Sequence, residues 1–301
     1  MSWQLACLNA GLRLFAKPKL RRTQGPERAR REFQLSSGLL RRPPFLRDLS
    51  RPGGLHWIST GPCVPGTVLL YFHGGGYITG SPLTHCGVAG RLSKLSGIEV
   101  CSVDYPLAQV APFPAQFEAA VAAWGQLQTL GYAPHNVLLV GDSAGGGLAL
   151  ALLARLCCDG GPPAGLVAFS PWTDLDLTGT SLRKNHSSDP FLPVERVREL
   201  VSIIMGDAPA DARRDPRISP VYGDFPDCPP VLIHYSETEI LADDARRMVA
   251  RLRGFGAEVS TEILADAPHA WPVFDGWIPE ARRSLGLAAS FAQESLAAIS
   301  R

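Results

Sequence analysis

The chain has 301 residues, 46% of them hydrophobic and 19% charged, which is enough apolar material for one sizeable core and too little charge for a disordered chain. The formal net charge of +1 gives no sign, over the composition as a whole, of a polyanionic partner. Seven cysteines, odd in number and without redox or zinc spacing, read as free thiols; with no signal-peptide pattern and no apolar run of bilayer length, the cytoplasm is the expected compartment.

Taken in chain order, Trp3, Leu5, Leu8, Leu12 and Phe15 recur at roughly helical spacing and predict an amphipathic helix over residues 3–16. A basic stretch comes next, with Lys17, Lys19, Arg21, Arg22, Arg28, Arg30 and Arg31. A solvated helix face or linker is the simpler reading of it than a nucleic-acid or membrane-surface patch. Apolar residues near 39–46 complete an appendage that must pack on something else.

From about residue 55 the texture changes. Short apolar runs at 67–72, 99–103, 136–140, 165–169, 230–235 and 259–263 suit strands buried on both faces, as in a parallel sheet. Helical patterns at 117–130, 145–156, 243–253 and 281–299 lie between or after them. Alternation of this kind predicts an α/β fold with a mainly parallel sheet. Residues 183–216 break the rhythm with a helix at 193–205 and a charged loop at 207–215. They read as an insertion over the sheet's active end, able to form a lid with residues 1–45.

Gly141-Asp142-Ser143-Ala144-Gly145 is a G-x-S-x-G placed between a strand-like run and an apolar helix, the context that a nucleophile elbow requires. Side chains flanking so sharp a turn would clash, hence glycine at 141 and 145. Roughly 65–70 residues earlier stands His73-Gly74-Gly75-Gly76-Tyr77, directly after a strand. Consecutive glycines let backbone amides turn toward one developing oxyanion, and the amide of Ala144 would join them.

A serine hydroxyl needs a base, and the base an orienting carboxylate, in the chain order serine, acid, histidine. His186 lies in the insertion, and His234 sits inside a buried strand, where a satisfied core histidine is expected. His269, in the loop after the last strand, is where the base belongs. For the acid, Glu237, Glu239, Asp243 and Asp244 compete after the strand at 230–235. Asp243 and Asp244 read as first-turn helix residues that serve the dipole. Glu239 lies at the right depth in the loop, with Glu237 the runner-up.

Together these segments resemble the hormone-sensitive-lipase-like group of bacterial α/β-hydrolase esterases, in its G-D-S-A-G branch. Val103-Asp-Tyr-Pro-Leu-Ala108 and Pro112-Phe-Pro-Ala115 are similar to its D-Y-R-L-A-P segment and the residues just past it, and Ser170–Leu175 and Ser219–Tyr222 to further landmarks. The resemblance implies Ser143 as nucleophile, His269 as base, and Gly75, Gly76 and Ala144 as oxyanion donors. Glu239 aligns with the first position of the group's D-x-L-x-D, so glutamate stands where aspartate is usual. Pro106 stands where the group has arginine, and Val110 where it has glutamate; the expected loss is a structural polar contact near the glycine loop.

The resemblance further implies an α/β-hydrolase core over 46–182 and 217–301 with a helical cap from 1–45 and 183–216. It implies hydrolysis of short- to medium-chain acyl esters without a cofactor or metal. The expected partner is a small-molecule ester, with no nucleic acid and no membrane span; a homodimer is compatible with the reading. An amidase, lactonase or carbamate hydrolase on the same scaffold is the rival enzyme. A non-catalytic small-molecule receptor is the rival outside catalysis, and the presence of His269 speaks against it.

Overall fold

The computed structural model describes residues 1–51 and 53–297. The chain opens with α1 (Trp3–Gly11), a wide π-turn (Leu12–Ala16), α2 (Lys17–Arg22) and α3 (Pro26–Ser37), then β1 (Arg47–Arg51) and β2 (Leu55–Ser59). Next come β3 (Val68–Phe72), α4 (Pro82–Ser96), β4 (Glu99–Val103), α5 (Ala115–Thr129), β5 (Val137–Asp142), α6 (Ala144–Cys158) and β6 (Gly165–Phe169). After α7 (Ser181–Lys184) and α8 (Val194–Met205) stand β7 (Val231–Ser236), α9 (Ala242–Gly254), β8 (Val259–Leu264) and α10 (Pro279–Ala297). Of the helix expected over 281–299, residues 298 and 299 lie outside the described residues.

One eight-stranded sheet runs β1-β2-β4-β3-β5-β6-β7-β8. Every pair from β4 onward in that order is parallel, and β1 and β2 join antiparallel at one edge. Pleating sends Leu70, Phe72 and Leu139 to one side, against α5 and α6, and Leu69, Tyr71 and Leu138 to the other, against α4 and α10. Burial on both faces is why β3, β5, β6 and β7 are nearly continuous apolar runs rather than alternating ones. The run at 259–263, expected to be buried likewise, forms the edge strand β8, which is largely exposed or half-buried because no strand covers its far side. A third, small cluster packs Leu5 of α1 against Ala267, Trp271, Ile278 and Ala281, so the N-terminal helix docks on the chain just past β8.

Two features lie outside the sequence expectation. The β1–β2 hairpin escapes it because β1 is a polar, largely exposed edge strand with no apolar run to mark it. Helix α4 escapes it because glycine, serine and histidine dilute its apolar period. Its ends are nevertheless written in the chain: a Ser81/Thr84 capping box, Pro82 at the first position and Gly97 at φ 68° beyond the last turn. The basic stretch is helical, forming α2 and α3, and most of its cations face outward. Among the described residues no helix is long and apolar enough to cross a membrane.

Candidate active site

Ser143 sits at the turn from β5 into α6 with φ 54° and ψ −123°, a conformation that costs an L-residue energy and persists only where the surroundings enforce it. Its amide donates to Phe169 O at 2.8 Å, and its carbonyl accepts from Trp172 N and Gly147 N, each at 3.0 Å. The flanking glycines are a steric necessity. A Cβ at Gly141 would lie 2.3 Å from Gly145 O, and one at Gly145 2.1 Å from Phe72 O.

The loop after β8 delivers His269. Its neighbours are pinned from the sheet side, with Ala267 N donating to Ser236 Oγ and Ala270 N to Ser170 Oγ, both at 3.0 Å. His269 Nε2 lies 2.7 Å from Ser143 Oγ, and Nδ1 lies 2.7 Å from Glu239 Oε2. Glu239 is fully buried, and its other oxygen accepts from Ser236 N at 2.9 Å. Burial opposes charge on the His269 ring, but the hydrogen bond and charge of Glu239, helped by the fields of Asp189 and Asp142, outweigh it and raise the pKa above 6.5. A base works only when neutral, and a raised pKa means the neutral form is lost earlier on acidification. The rate of any reaction using His269 as base should therefore fall with a midpoint above pH 6.5, measurable as the acid limb of kcat/KM.

The competing carboxylates are engaged elsewhere. Glu237 makes an exposed pair with Arg246. Asp243 and Asp244 do stand in the first turn of α9, but they do not serve that helix's own amides. Asp243 accepts from Thr180 Oγ1 and Ser181 N at 2.7 and 2.8 Å. Asp244 accepts from Thr173 N and Asp174 N, both at 2.9 Å, and burial pushes its pKa up to about 8. His186 is exposed. His234 is a core residue as expected, stacked on Trp271 with centroids 6.0 Å apart. Among the described residues, however, neither ring nitrogen of His234 has a hydrogen-bond partner, although Glu262 Oε2 lies 3.1 Å from Nδ1. Burial lowers its pKa to about 3 and keeps it neutral.

The glycine loop is held from beneath by residues whose part in it no sequence motif marks. Asp142 accepts from Gly74 N at 3.0 Å and from Tyr71 Oη at 2.6 Å, and Tyr105 Oη donates to His73 O at 2.6 Å. Gly75 turns its carbonyl away, to accept from Ile78 N and Thr79 N at 3.3 and 3.0 Å. Among the described residues nothing accepts from the amides of Gly75 or Gly76. Their φ values of 117° and 61° call for glycine, and a Cβ at Gly75 would also lie 2.4 Å from Thr79 O. Gly76 faces Leu200 of α8. Ala144, as the first residue of α6, has an amide with no carbonyl one turn earlier in its helix. Pro106 and Val110 stand where the resembling group has arginine and glutamate. The neighbouring Gln109 Nε2 donates to Ile78 O, just past the glycine loop, and Gln116 Nε2 to Pro106 O, each at 3.0 Å, so the segment keeps polar anchors.

A strap of residues 185–189 binds the Glu239 loop. Asn185 Nδ2 donates to the carbonyls of Glu237 and Glu239 at 2.8 Å, and buried Asp189 accepts from Ile240 N at 2.8 Å. One face of the N-terminal helical stretch grips both loops. Asn9 reaches Asp266 O, Arg13 reaches Ser188 O and Asp266 Oδ1, and Lys17 reaches the carbonyls of His186 and Asp189. Four-residue spacing of 9, 13 and 17 is the available signal, but it straddles the apolar pattern of residues 3–16 and the start of the basic stretch. Among the described residues no three His, Cys, Asp or Glu side chains are grouped to hold a metal ion.

Comparison with known proteins adds a lineage to this geometry. Residues 69–273 match the model of an alpha/beta hydrolase fold family. An acetyl-hydrolase of Streptomyces hygroscopicus is 37% identical over 228 residues, 75% of each chain. An esterase of Acinetobacter venetianus is 33% identical over 75% of this chain and 74% of its own. The crystal structure of an esterase from the bacterial hormone-sensitive lipase family superposes with a TM-score of 0.90 at 32% identity, covering 98% of this chain and 99% of that one.

Proposed function

The chain belongs to the α/β-hydrolase family, among its hormone-sensitive-lipase-like esterases, and from that premise we propose that Ser143, His269 and Glu239 are the nucleophile, base and acid of ester hydrolysis. That the protein is a carboxylic ester hydrolase follows from the family and the relatives. The assignment of roles rests on one observation, the unbroken line of two 2.7 Å hydrogen bonds from hydroxyl to imidazole to buried carboxylate.

Ser143 Oγ attacks the ester carbonyl as His269 Nε2 takes its proton, while Glu239 holds the Nδ1–H tautomer and stabilises the imidazolium. The oxyanion is received by the amides of Gly75, Gly76 and Ala144, a reading supported by the free loop amides and the dipole of α6. The imidazolium then protonates the leaving alcohol. Water, deprotonated by the same ring, cleaves the acyl-enzyme.

Residues 1–45 and 183–216 act as the cap over a core of 46–182 and 217–301, supported by Leu200 of α8 lying against Gly76. A cap that close to the oxyanion loop restricts the acyl group to short or medium chains, in keeping with the name of the acetyl-hydrolase relative. Seven free thiols support a reducing compartment, the cytoplasm.

The test is a rate panel of 4-nitrophenyl acetate, butyrate, octanoate and dodecanoate beside the matching anilides. The proposal expects kcat/KM to peak at acetate or butyrate and the anilides to be inert. A peak at dodecanoate would refute the chain-length reading, and faster anilides the ester reading. The grip of the N-terminal helix makes a separate prediction. Arg13→Ala combined with Lys17→Ala should lower kcat by roughly ten- to a hundredfold with little change in KM, since it loosens both loops behind the chemistry. Steady-state kinetics at the pH optimum would read it.

A further inference from the structure

The formal charge of +1 conceals a strong asymmetry. Residues 1–45 carry ten Lys and Arg against two Asp and Glu, a net of +8, whereas the remaining chain, with 19 against 26, is at −7. Arg13 and Lys17 spend their charge on the body of the protein. Phe15, midway between them in a helical stretch, lies on the opposite face and is 76% exposed, beside Leu14 at 68%. These two side chains, with Lys19, Arg22 and Arg28, line one open groove of about 340 Å³ between the α1–α2 arm and α3. Glu32 is the groove's one acid, shared between Lys19 and Arg28. Arg22, Arg30 and Arg31 are exposed and have no carboxylate partner among the described residues. Leu35 at 80% and Leu39 at 68% exposure extend the apolar content along α3 and just past it.

We propose that this N-terminal surface docks the protein onto an anionic phospholipid bilayer, with Phe15 and Leu14 entering the interface and the Arg and Lys side chains meeting lipid phosphates. Exposed aromatic and aliphatic side chains interleaved with cations are what an interfacial helix needs, and no membrane span is required. A nucleic acid would use the cations but has no use for Leu14 and Phe15 beside them. The net negative remainder is repelled by the same surface, so the molecule orients with this face down. The proposal is independent of the ester-hydrolysis reading.

The experiment is co-sedimentation of the full chain with vesicles of phosphatidylcholine alone and of phosphatidylcholine containing one third phosphatidylglycerol, at low and high salt. Each cation near an anionic surface contributes about fivefold, so Arg22→Glu with Arg30→Glu should weaken partitioning onto the anionic vesicles by at least about tenfold. Leu14→Ser with Phe15→Ser should weaken it at both salt concentrations, and both variants should keep the parent's circular dichroism spectrum. Binding to the anionic vesicles that is lost by both variants supports the proposal. Equal partitioning onto neutral vesicles overturns it, as does no partitioning at all. So does displacement from the vesicles by duplex DNA, or a stable dimer in light scattering that Phe15→Asp dissociates.

Discussion

Ser143→Ala is expected to reduce kcat by about a millionfold toward any ester that the parent hydrolyses, with the fold unchanged. The substitution removes the attacking oxygen and leaves a neutral imidazole with nothing to deprotonate but water. Little else is lost. The side chain's partner is His269 Nε2, while the strained turn is fixed by backbone bonds to Phe169, Trp172 and Gly147 that alanine retains. Alanine is no worse than serine at φ 54°, so the thermal midpoint should move by a few degrees at most. Steady-state kinetics and thermal unfolding of the one variant read both halves. Residual turnover within a hundredfold of the parent would place the nucleophile elsewhere.

Glu239→Gln is expected to cost about 10⁴-fold in kcat, and the reason lies in the carboxylate's second hydrogen bond. One Glu239 oxygen accepts from Ser236 N while the other faces His269 Nδ1. An amide has a single oxygen, and the Ser236 amide, being a donor, claims it. The –NH₂ then points at Nδ1 and donates, forcing the ring proton onto Nε2, where it blocks the lone pair that must receive the serine proton. The variant should also shift the acid limb of the remaining activity downward, because the group that raises the His269 pKa is gone. Glu237→Gln breaks only an exposed pair with Arg246 and should change kcat by less than about twofold. Parallel kinetics of the two variants over pH decide between the carboxylates, and the opposite ranking would make Glu237 the acid.

The sequence is most legible where local chemistry is exacting. The strained turn at Ser143 admits only glycine two residues to either side, at 141 and 145, and the loop before Tyr77 needs glycine at 75, where φ is 117° and a Cβ would lie 2.4 Å from Thr79 O, so both motifs stand out. The buried parallel strands are legible because burial on both faces demands unbroken apolar runs. What stays hidden is what tertiary contact alone creates. Asp189 sits in an unremarkable loop and becomes meaningful only when the chain folds its carboxylate onto the amide of Ile240. Asp142 is in view as part of G-D-S-A-G, but its acceptance of Gly74 N depends on the adjacency of β3 and β5. His234 illustrates the converse error. A buried strand histidine is expected to be satisfied, yet ring stacking supplies its environment and, among the described residues, its nitrogens have no hydrogen-bond partner.

Intact-mass spectrometry after incubation with an activated fluorophosphonate, combined with peptide mapping, addresses the nucleophile, base and oxyanion amides together, since that reagent needs all three to react quickly. One adduct per chain, located on Ser143 and formed far more slowly by Glu239→Gln, is the expected result. An unmodified Ser143 in a protein that still hydrolyses esters, or an adduct on another residue, would contradict the triad.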